Sequence, residues 1–244
     1  MLKLENLTKA FGDAKAVAVN NLTFEVGKGE IFGLLGENGA GKTTTLRMMA
    51  TMLKPTSGTG KVSGFDIIQQ PEKVRSCIGI LFGGESGLYD RLTAAENIAY
   101  FGELYDMDIK YINERIAYLS KIFGMEEYID RRASRLSKGM RQKTAFARAI
   151  VHNPDVMLFD EPTSGLDVGA IREVHDFIRD CGKNGKTIIL SSHSMGEVEK
   201  LCDRIGIIHK GNLVDIGTID QLKEKYNNNN LEEIFIKITG RDNK

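Results

Sequence analysis

The sequence predicts an α/β fold in which a parallel sheet forms the core. Four short apolar runs are typical of parallel strands buried on both faces. They are residues Ile31–Leu35, Val156–Phe159, Thr187–Leu190 and Ile205–His209. Helical patterns separate several of these runs, as a layered α/β core requires. A glycine-rich segment also joins the first run directly to a helical pattern, a common strand-to-helix connection in such folds.

The first elements of the chain differ from the core runs. Residues 2–7 and 22–26 alternate apolar and polar side chains. Such alternation is typical of strands with one buried face, so we expect an antiparallel sheet beside the parallel core.

Between about residue 90 and residue 152 the pattern becomes helical. Thr93 and Glu96 have the spacing of a capping box, with apolar residues following at helical intervals. A second amphipathic stretch is marked by Ile112, Ile116, Leu119 and Phe123. We therefore expect one domain over residues 1–226 with a helical subdomain inserted at about 90–152. Residues 227–244 are expected to hold a linker at Asn227–Asn230 and a short terminal element at Leu231–Thr239.

Composition restricts the classes of partner. The chain has 244 residues, with 33 Lys plus Arg and 33 Asp plus Glu, so its formal net charge is zero. A neutral chain has no overall positive field, which argues against nucleic acid as the main partner. One local basic cluster leaves a nucleic-acid stripe open at this point. It consists of Arg131, Arg132, Arg135, Lys138, Arg141 and Lys143.

The cysteines favour a cytoplasmic compartment, and the hydropathy predicts that the chain is not itself a membrane pore. Cys77, Cys181 and Cys202 are too widely spaced for a disulfide framework, so we expect reduced thiols. The first residues lack the apolar core of a signal peptide. No apolar stretch approaches the roughly 20 residues that cross a bilayer.

Residues 36–43 read Gly-Glu-Asn-Gly-Ala-Gly-Lys-Thr and match the phosphate-binding loop pattern. The glycines allow the backbone to curl with its N–H groups pointing inward, and the following helix adds the positive end of its dipole. Lys42 is expected to reach the β- and γ-phosphates, and the Thr43 hydroxyl to hold Mg²⁺. A plain glycine-rich turn is the alternative. The expected nucleotide-binding residues are Gly36, Glu37, Asn38, Gly39, Ala40, Gly41, Lys42, Thr43 and Thr44.

Two acids end the second apolar run. Asp160 follows Phe159 directly and is expected to bind Mg²⁺, while Glu161 is placed to polarise a water for in-line attack on the γ-phosphate. A strand that meets solvent at two carboxylates is the alternative interpretation.

Four further motifs make the chain resemble the ATP-binding cassette (ABC) family along nearly its whole length. Residues 136–140, Leu-Ser-Lys-Gly-Met, resemble the family's signature sequence and are followed by Arg-Gln. Residues 161–167, Glu-Pro-Thr-Ser-Gly-Leu-Asp, are similar to the second acidic motif and the D-loop. His193 matches the switch histidine, and Phe11 is placed like the aromatic residue that stacks on adenine.

The resemblance implies a P-loop NTPase of the ABC type that uses ATP and Mg²⁺. Ser137 and Gly139 would contact the γ-phosphate of an ATP held by a second copy of the chain, in a nucleotide-sandwich dimer. His193 would bond the γ-phosphate and help to hold Glu161 and water in line. The basic cluster then flanks this interface, and no nucleic-acid partner is expected. Phe11 offers a flat face for adenine, or else is a core aromatic.

The sequence departs from the family pattern at two places. The family usually has a Gln after the Ile78–Phe82 strand, whereas here the nearest polar substitute is Glu85. Lys138 and Met140 replace the common Gly and Gln of the signature, but Ser137 and Gly139 remain. We therefore expect hydrolysis to be retained.

The leading hypothesis is the ATPase subunit of an ABC transporter, docked peripherally on the cytoplasmic face of the cell membrane. Its partner would be a separate integral-membrane permease, coupled through residues near 83 to 105. Residues 87–93 and 231–240 resemble the bacterial exporter branch, within which the sodium-efflux transporters are most similar. The alternative is a soluble ABC ATPase that acts on nucleic acid or ribosomes. A generic P-loop kinase or a GTPase is a third option, although the guanine-reading Asn-Lys-x-Asp motif is lacking.

Overall fold

The computed structural model describes residues 1–12, 16–82 and 87–240. The strands of these residues are β1 (Leu2–Phe11), β2 (Ala16–Val26), β3 (Ile31–Leu35), β4 (Ser57–Val62), β5 (Phe65–Asp66), β6 (Ile78–Leu81), β7 (Val156–Asp160), β8 (Thr187–Ser192), β9 (Arg204–His209) and β10 (Asn212–Gly217). The helices are α1 (Lys42–Met49), α2 (Pro71–Cys77), α3 (Ala94–Leu104), α4 (Ile109–Ile122), α5 (Lys138–Ala149), α6 (Val168–Lys183), α7 (Met195–Leu201), α8 (Ile219–Tyr226) and α9 (Leu231–Thr239).

The core is a six-stranded sheet with the strand order β10-β9-β3-β8-β7-β6. All its neighbouring pairs are parallel except β9 and β10. The four apolar runs of the sequence form β3, β7, β8 and β9, so the prediction of a parallel α/β core is confirmed. Because the strands are parallel, the carboxyl ends of β3, β7 and β8 meet at one edge of the sheet.

Both faces of the parallel sheet are buried, which explains the continuous apolar runs. In β3, Ile31 and Leu35 belong to one hydrophobic cluster, whereas Phe32 and Leu34 belong to the other. The first cluster is completed by helices, including α5 and α6. The second is completed by the N-terminal strands and by α1.

A four-stranded sheet with the order β2-β1-β4-β5 covers the second cluster. The predicted antiparallel pairing of the first strands is confirmed, with Leu2 opposite Val26. The strands are longer than predicted, since the pairing continues to Phe11 opposite Ala16.

Helices α3, α4 and α5 occupy the region predicted to be helical. The capping box that begins α3 is confirmed: Thr93 Oγ1 accepts a hydrogen bond from the Glu96 N–H, and Glu96 Oε2 accepts one from the Thr93 N–H. Phe123, which follows α4, packs its ring against Phe146 of α5, and Phe146 packs against Phe159 of β7. This packing holds the helical region against the strand that ends at Asp160.

The terminal element predicted at Leu231–Thr239 is the helix α9. Asn227 ends α8 in the left-handed conformation, and the Asn230 side chain caps the first N–H groups of α9. Leu231 and Phe235 lie in the same hydrophobic cluster as the sheet and its helices. In the ranges that the structure describes, no helix is long and apolar enough to cross a membrane.

Candidate functional site

The phosphate loop connects the carboxyl end of β3 to α1. Gly39 and Gly41 have φ values of +79° and +109°, which L side chains rarely adopt. Gly36 is required for another reason, since a Cβ there would lie 2.5 Å from the backbone oxygen of Ile208. Gly41 is the N-cap of α1 and supplies no side chain to its first N–H groups. The loop therefore presents a helix N-terminus without a side-chain cap, an arrangement that suits an anion.

The other loop residues complete a compact turn. The Ala40 N–H donates to the Glu37 carbonyl at 3.1 Å, and the Ala40 carbonyl accepts from the Gly211 N–H at 2.9 Å. Asn38 is exposed, and Thr44 is half-buried in the first turn of α1. These contacts anchor one side of the loop to the turn between β9 and β10.

Lys42 lies across the loop with only 5% of its side chain exposed. Its Nζ donates to the carbonyl of Gly36 at 2.7 Å and to that of Glu37 at 3.1 Å. Glu161 Oε1 lies 3.9 Å from the same Nζ. Burial lowers the pKa of Lys42 from its usual value, although the carboxylates of Glu161 and Asp160 act in the opposite direction. The structure thus places a buried amine between the phosphate loop and the end of β7.

Thr43 and Asp160 meet at the carboxyl edge of the sheet. Thr43 Oγ1 donates to Asp160 Oδ2 at 2.8 Å, and the Ser191 hydroxyl donates to Asp160 Oδ1. Asp160 is 6% exposed. A hydroxyl and a single carboxylate are oxygen ligands of the kind that Mg²⁺ prefers when phosphates and waters complete its shell. The two residues predicted to hold Mg²⁺ therefore fit that ion.

Glu161 and His193 form a pair beside this edge. His193 Nδ1 lies 3.0 Å from Glu161 Oε1, and the two side chains are 58% and 26% exposed, respectively. Glu161 has a φ of +48°, which costs energy for a residue with a side chain. Its N–H donates to both the carbonyl and the hydroxyl of Ser191, which stabilises this turn. Strained backbone of this kind is often found at functional sites.

Ser191 was missed by the sequence analysis. It contacts both predicted carboxylate residues because β7 pairs with β8 in parallel and places Asp160 opposite Ser191. The available signal was a hydroxyl residue at the polar end of an apolar run, immediately before Ser192 and His193.

Ser137 and Gly139 lie at the start of α5, outside the phosphate loop. The Ser137 hydroxyl is exposed and accepts a hydrogen bond from the Met140 N–H at 3.2 Å. Lys138 passes over Gly165, where an added Cβ would lie 2.5 Å from Lys138 Nζ. The exposed start of α5 therefore borders the turn that follows Glu161.

Phe11 ends β1 with 45% of its surface exposed, so it is not a core aromatic. Lys9 Nζ lies 5.2 Å from the centre of its ring. A flat, accessible face is what stacking on a base requires. Glu85, the nearest substitute for the missing Gln, lies outside the described residues.

Part of the basic cluster is neutralised within the fold. Arg141 Nη1 lies 2.7 Å from Asp90 Oδ1, and Lys143 Nζ lies 2.6 Å from Glu173 Oε2. These pairs connect α5 to neighbouring elements, which reduces the positive charge available to a nucleic acid.

Comparison with known proteins agrees with this arrangement. Residues 19–164 match the family model described as ABC transporter. The chain is 48% identical over 238 residues to the ABC transporter ATP-binding protein NatA of Bacillus subtilis (strain 168), covering 97% of each chain. It is 38% identical over 218 residues to the linearmycin resistance ATP-binding protein LnrL of the same organism, covering 89% of this chain and 69% of LnrL.

A solved structure shows the same fold. It is the dimeric, post-hydrolysis state of the ATP-binding cassette MJ0796 bound to ADP and Pi. The TM-score is 0.81 at 26% identity, with 89% of this chain and 98% of that chain covered. The fold is thus the P-loop α/β fold of ABC ATPases. The chain belongs to the ABC transporter family, as an ATP-binding subunit whose ATP hydrolysis is coupled to transport.

Proposed function

We propose that this chain hydrolyses Mg²⁺-bound ATP at the edge where β3, β7 and β8 end. The observation that carries the proposal is the Thr43–Asp160 contact of 2.8 Å beside the Glu161–His193 contact of 3.0 Å. These contacts, next to the phosphate loop, support the proposal that Thr43 and Asp160 hold Mg²⁺ and that Glu161 and His193 act together on the attacking water.

Each residue has a distinct role in this proposal. The loop amides and Lys42 bind the phosphates, and Thr43 and Asp160 would hold Mg²⁺, which neutralises phosphate charge when bound. Glu161 accepts a proton from the attacking water. His193 orients the Glu161 carboxylate and the γ-phosphate. Phe11 stacks on adenine.

The site is completed by a second copy of the chain. Ser137 and Gly139 lie on the exposed start of α5, which gives N–H groups and a hydroxyl for a phosphate held by the partner. The dimeric neighbour bound to ADP and Pi supports this proposal. A two-fold dimer would contain two equivalent composite sites.

The permease is proposed to dock in a groove between the sheet and α3. This groove has a volume of about 270 Å³, and Phe82, Phe101, Tyr105 and Arg148 line it. Met52 lies at its rim with 61% of its surface exposed. An apolar groove of this kind suits a short helix of a membrane partner. Docking there would hold the subunit peripherally on the cytoplasmic face of the cell membrane.

We further propose that the transporter is an exporter and that its cargo is Na⁺. Export is supported by the likeness to a resistance protein, LnrL, and Na⁺ by the resemblance of residues 87–93 and 231–240 to sodium-efflux transporters. A role on nucleic acid is not favoured, because the formal net charge is zero.

Purification from gently solubilised membranes tests whether the chain binds a permease. A polytopic membrane protein should co-purify stoichiometrically with the wild-type chain. Met52→Glu should lose that protein while its ATP turnover is unchanged. Val214→Glu, at an exposed position on β10, is the matched control and should retain it. Recovery with ribosomes or DNA alone would contradict the proposal.

Transport in inside-out vesicles tests whether Na⁺ is the cargo. ATP should drive uptake of radioactive Na⁺ in vesicles that contain the subunit and its permease, and Glu161→Gln should abolish it. ATP-dependent uptake of K⁺ but not Na⁺ would refute the sodium proposal and leave the ATPase assignment intact.

A further inference from the structure

A buried carboxylate near the carboxyl ends of β7 and β8 forms hydrogen bonds with three other segments of the chain. Glu197 lies in α7 and is 7% exposed. Its Oε1 accepts a hydrogen bond from Thr163 Oγ1 at 2.7 Å, and its Oε2 accepts one from Ser192 Oγ at 2.6 Å. His175 Nε2 of α6 lies 3.2 Å from the same Oε1. Buried charges are costly unless they are paired and hydrogen-bonded, and this carboxylate has three such partners.

Two of these partners belong to the turns that carry the proposed catalytic residues. Thr163 lies two residues after Glu161, and Ser192 lies immediately before His193. The Ser192 hydroxyl also accepts a hydrogen bond from the Ser194 N–H at 3.0 Å, so it fixes both sides of the His193 turn. Glu197 therefore joins, through Thr163 and Ser192, the same two turns that the contact between Glu161 and His193 joins.

We propose that Glu197 is a positioning residue for ATP hydrolysis, which holds the Glu161 and His193 turns in register through Thr163 and Ser192. Its carboxylate is occupied by protein donors and does not touch the nucleotide. The inference rests on the roles proposed above for Glu161 and His193.

The ionised carboxylate is suited to this role because its oxygens only accept hydrogen bonds. Burial acts to raise the pKa of Glu197, but hydrogen bonds from His175, Ser192 and Thr163 hold it below its usual value. A glutamine has nearly the same shape, yet its NH₂ group is a donor. It would replace one carboxylate oxygen and face a hydrogen-bond donor of Thr163, His175 or Ser192. Glu197→Gln therefore perturbs the connection between the turns while leaving the volume of the side chain unchanged.

The test compares Glu197→Gln with Glu199→Gln, a control on the same helix whose carboxylate pairs with Lys223 of α8. Turnover is normalised to nucleotide-binding sites, which are counted with a fluorescent ATP analogue. We expect Glu197→Gln to lower kcat about tenfold, since small misplacements of reacting groups have effects of this size or larger. The KM for ATP should stay within about twofold, because the phosphate loop is not altered. Glu199→Gln should match the wild type.

A double-mutant cycle separates positioning from a purely structural role. If Glu197 acts through Thr163, the fold loss of kcat in the double variant Glu197→Gln/Thr163→Val should be smaller than the product of the fold losses in the two single variants. Thr163→Val removes one hydroxyl and gives an independent reading if Glu197→Gln folds poorly. An unchanged kcat per site, or fully multiplicative effects, would overturn the inference.

Glu161→Gln is measured in parallel so that the two proposals fail separately. If Glu161→Gln turns over ATP normally, the proposed catalytic roles are wrong. If it is inactive while Glu197→Gln and Thr163→Val keep wild-type kcat, only the positioning role of Glu197 is wrong.

Discussion

Replacing Thr43 with valine tests the predicted Mg²⁺ ligand pair, Thr43 and Asp160. The change keeps the shape of the side chain but removes the hydroxyl that donates to Asp160 at 2.8 Å. Asp160 is 6% exposed, so water replaces this donor poorly, although Ser191 still bonds its other oxygen. A hydrogen bond to a charged group contributes about 1.5–3 kcal/mol. We therefore expect the free energy of unfolding to fall by about 2 kcal/mol.

The first assay is thermal unfolding without nucleotide. For a chain of this length, 1 kcal/mol corresponds to about 2–4 °C, so the Tm of Thr43→Val should fall by about 4–8 °C. Thr43→Ser keeps the hydroxyl and is the matched control, expected to remain close to the wild type. Equal Tm values for the valine and serine variants would show that the contact does not stabilise the fold.

The second assay compares ATP affinity in Mg²⁺ and in EDTA. Wild type and Thr43→Ser should bind ATP more tightly with Mg²⁺, whereas Thr43→Val should lose most of that gain because one of the two protein ligands is missing. An undiminished gain in Thr43→Val would refute the assignment of Thr43 to the metal.

Three further predictions concern the loop and the buried network. Gly36→Ala should weaken ATP binding by about tenfold or more in a fluorescent-nucleotide titration, because a Cβ 2.5 Å from the Ile208 carbonyl must displace the loop. Gly196→Ala, where a Cβ meets nothing within 4 Å, should bind normally. Lys42→Ala should also raise the Kd for ATP, and an unaltered Kd would remove Lys42 from the phosphate site. The pKa of Glu197 is lowered from 4.5, so its contribution to stability is complete above that pH and is lost as the pH falls through the folded-state pKa. The Tm difference between the wild type and Glu197→Gln should accordingly shrink below about pH 4.5; a constant difference would contradict the charged network.

The parallel core was predictable because its strands are buried on both faces and read as continuous apolar runs. The strand β4 was not predicted, since its residues include two glycines and few apolar side chains. The type of α9 was also left open, because Leu231–Thr239 fits both alternation and helical spacing. Its buried residues Leu231, Ile234 and Phe235 have helical spacing, so packing against the core decides between the two.

The phosphate loop was predictable because its residues are contiguous in sequence, as are Asp160, which ends β7, and Glu161, which follows it. The contacts of Ser191 with Glu161 and of Glu197 with Thr163 were not, because they join residues about thirty positions apart in the chain. The left-handed conformation of Glu161 could not be predicted either, since nothing in the local sequence requires a φ of +48° there. Pairing of parallel strands and side-chain packing decide these features.

We expect Glu161 to activate the attacking water. The most direct test is phosphate release by Glu161→Gln at saturating Mg²⁺ and ATP, with bound ATP measured in the same samples. General base catalysis contributes roughly 10²–10⁴-fold, so we predict a loss of at least about 100-fold with ATP still bound. Turnover within about threefold of the wild type would contradict the claim and move the catalytic base to another residue.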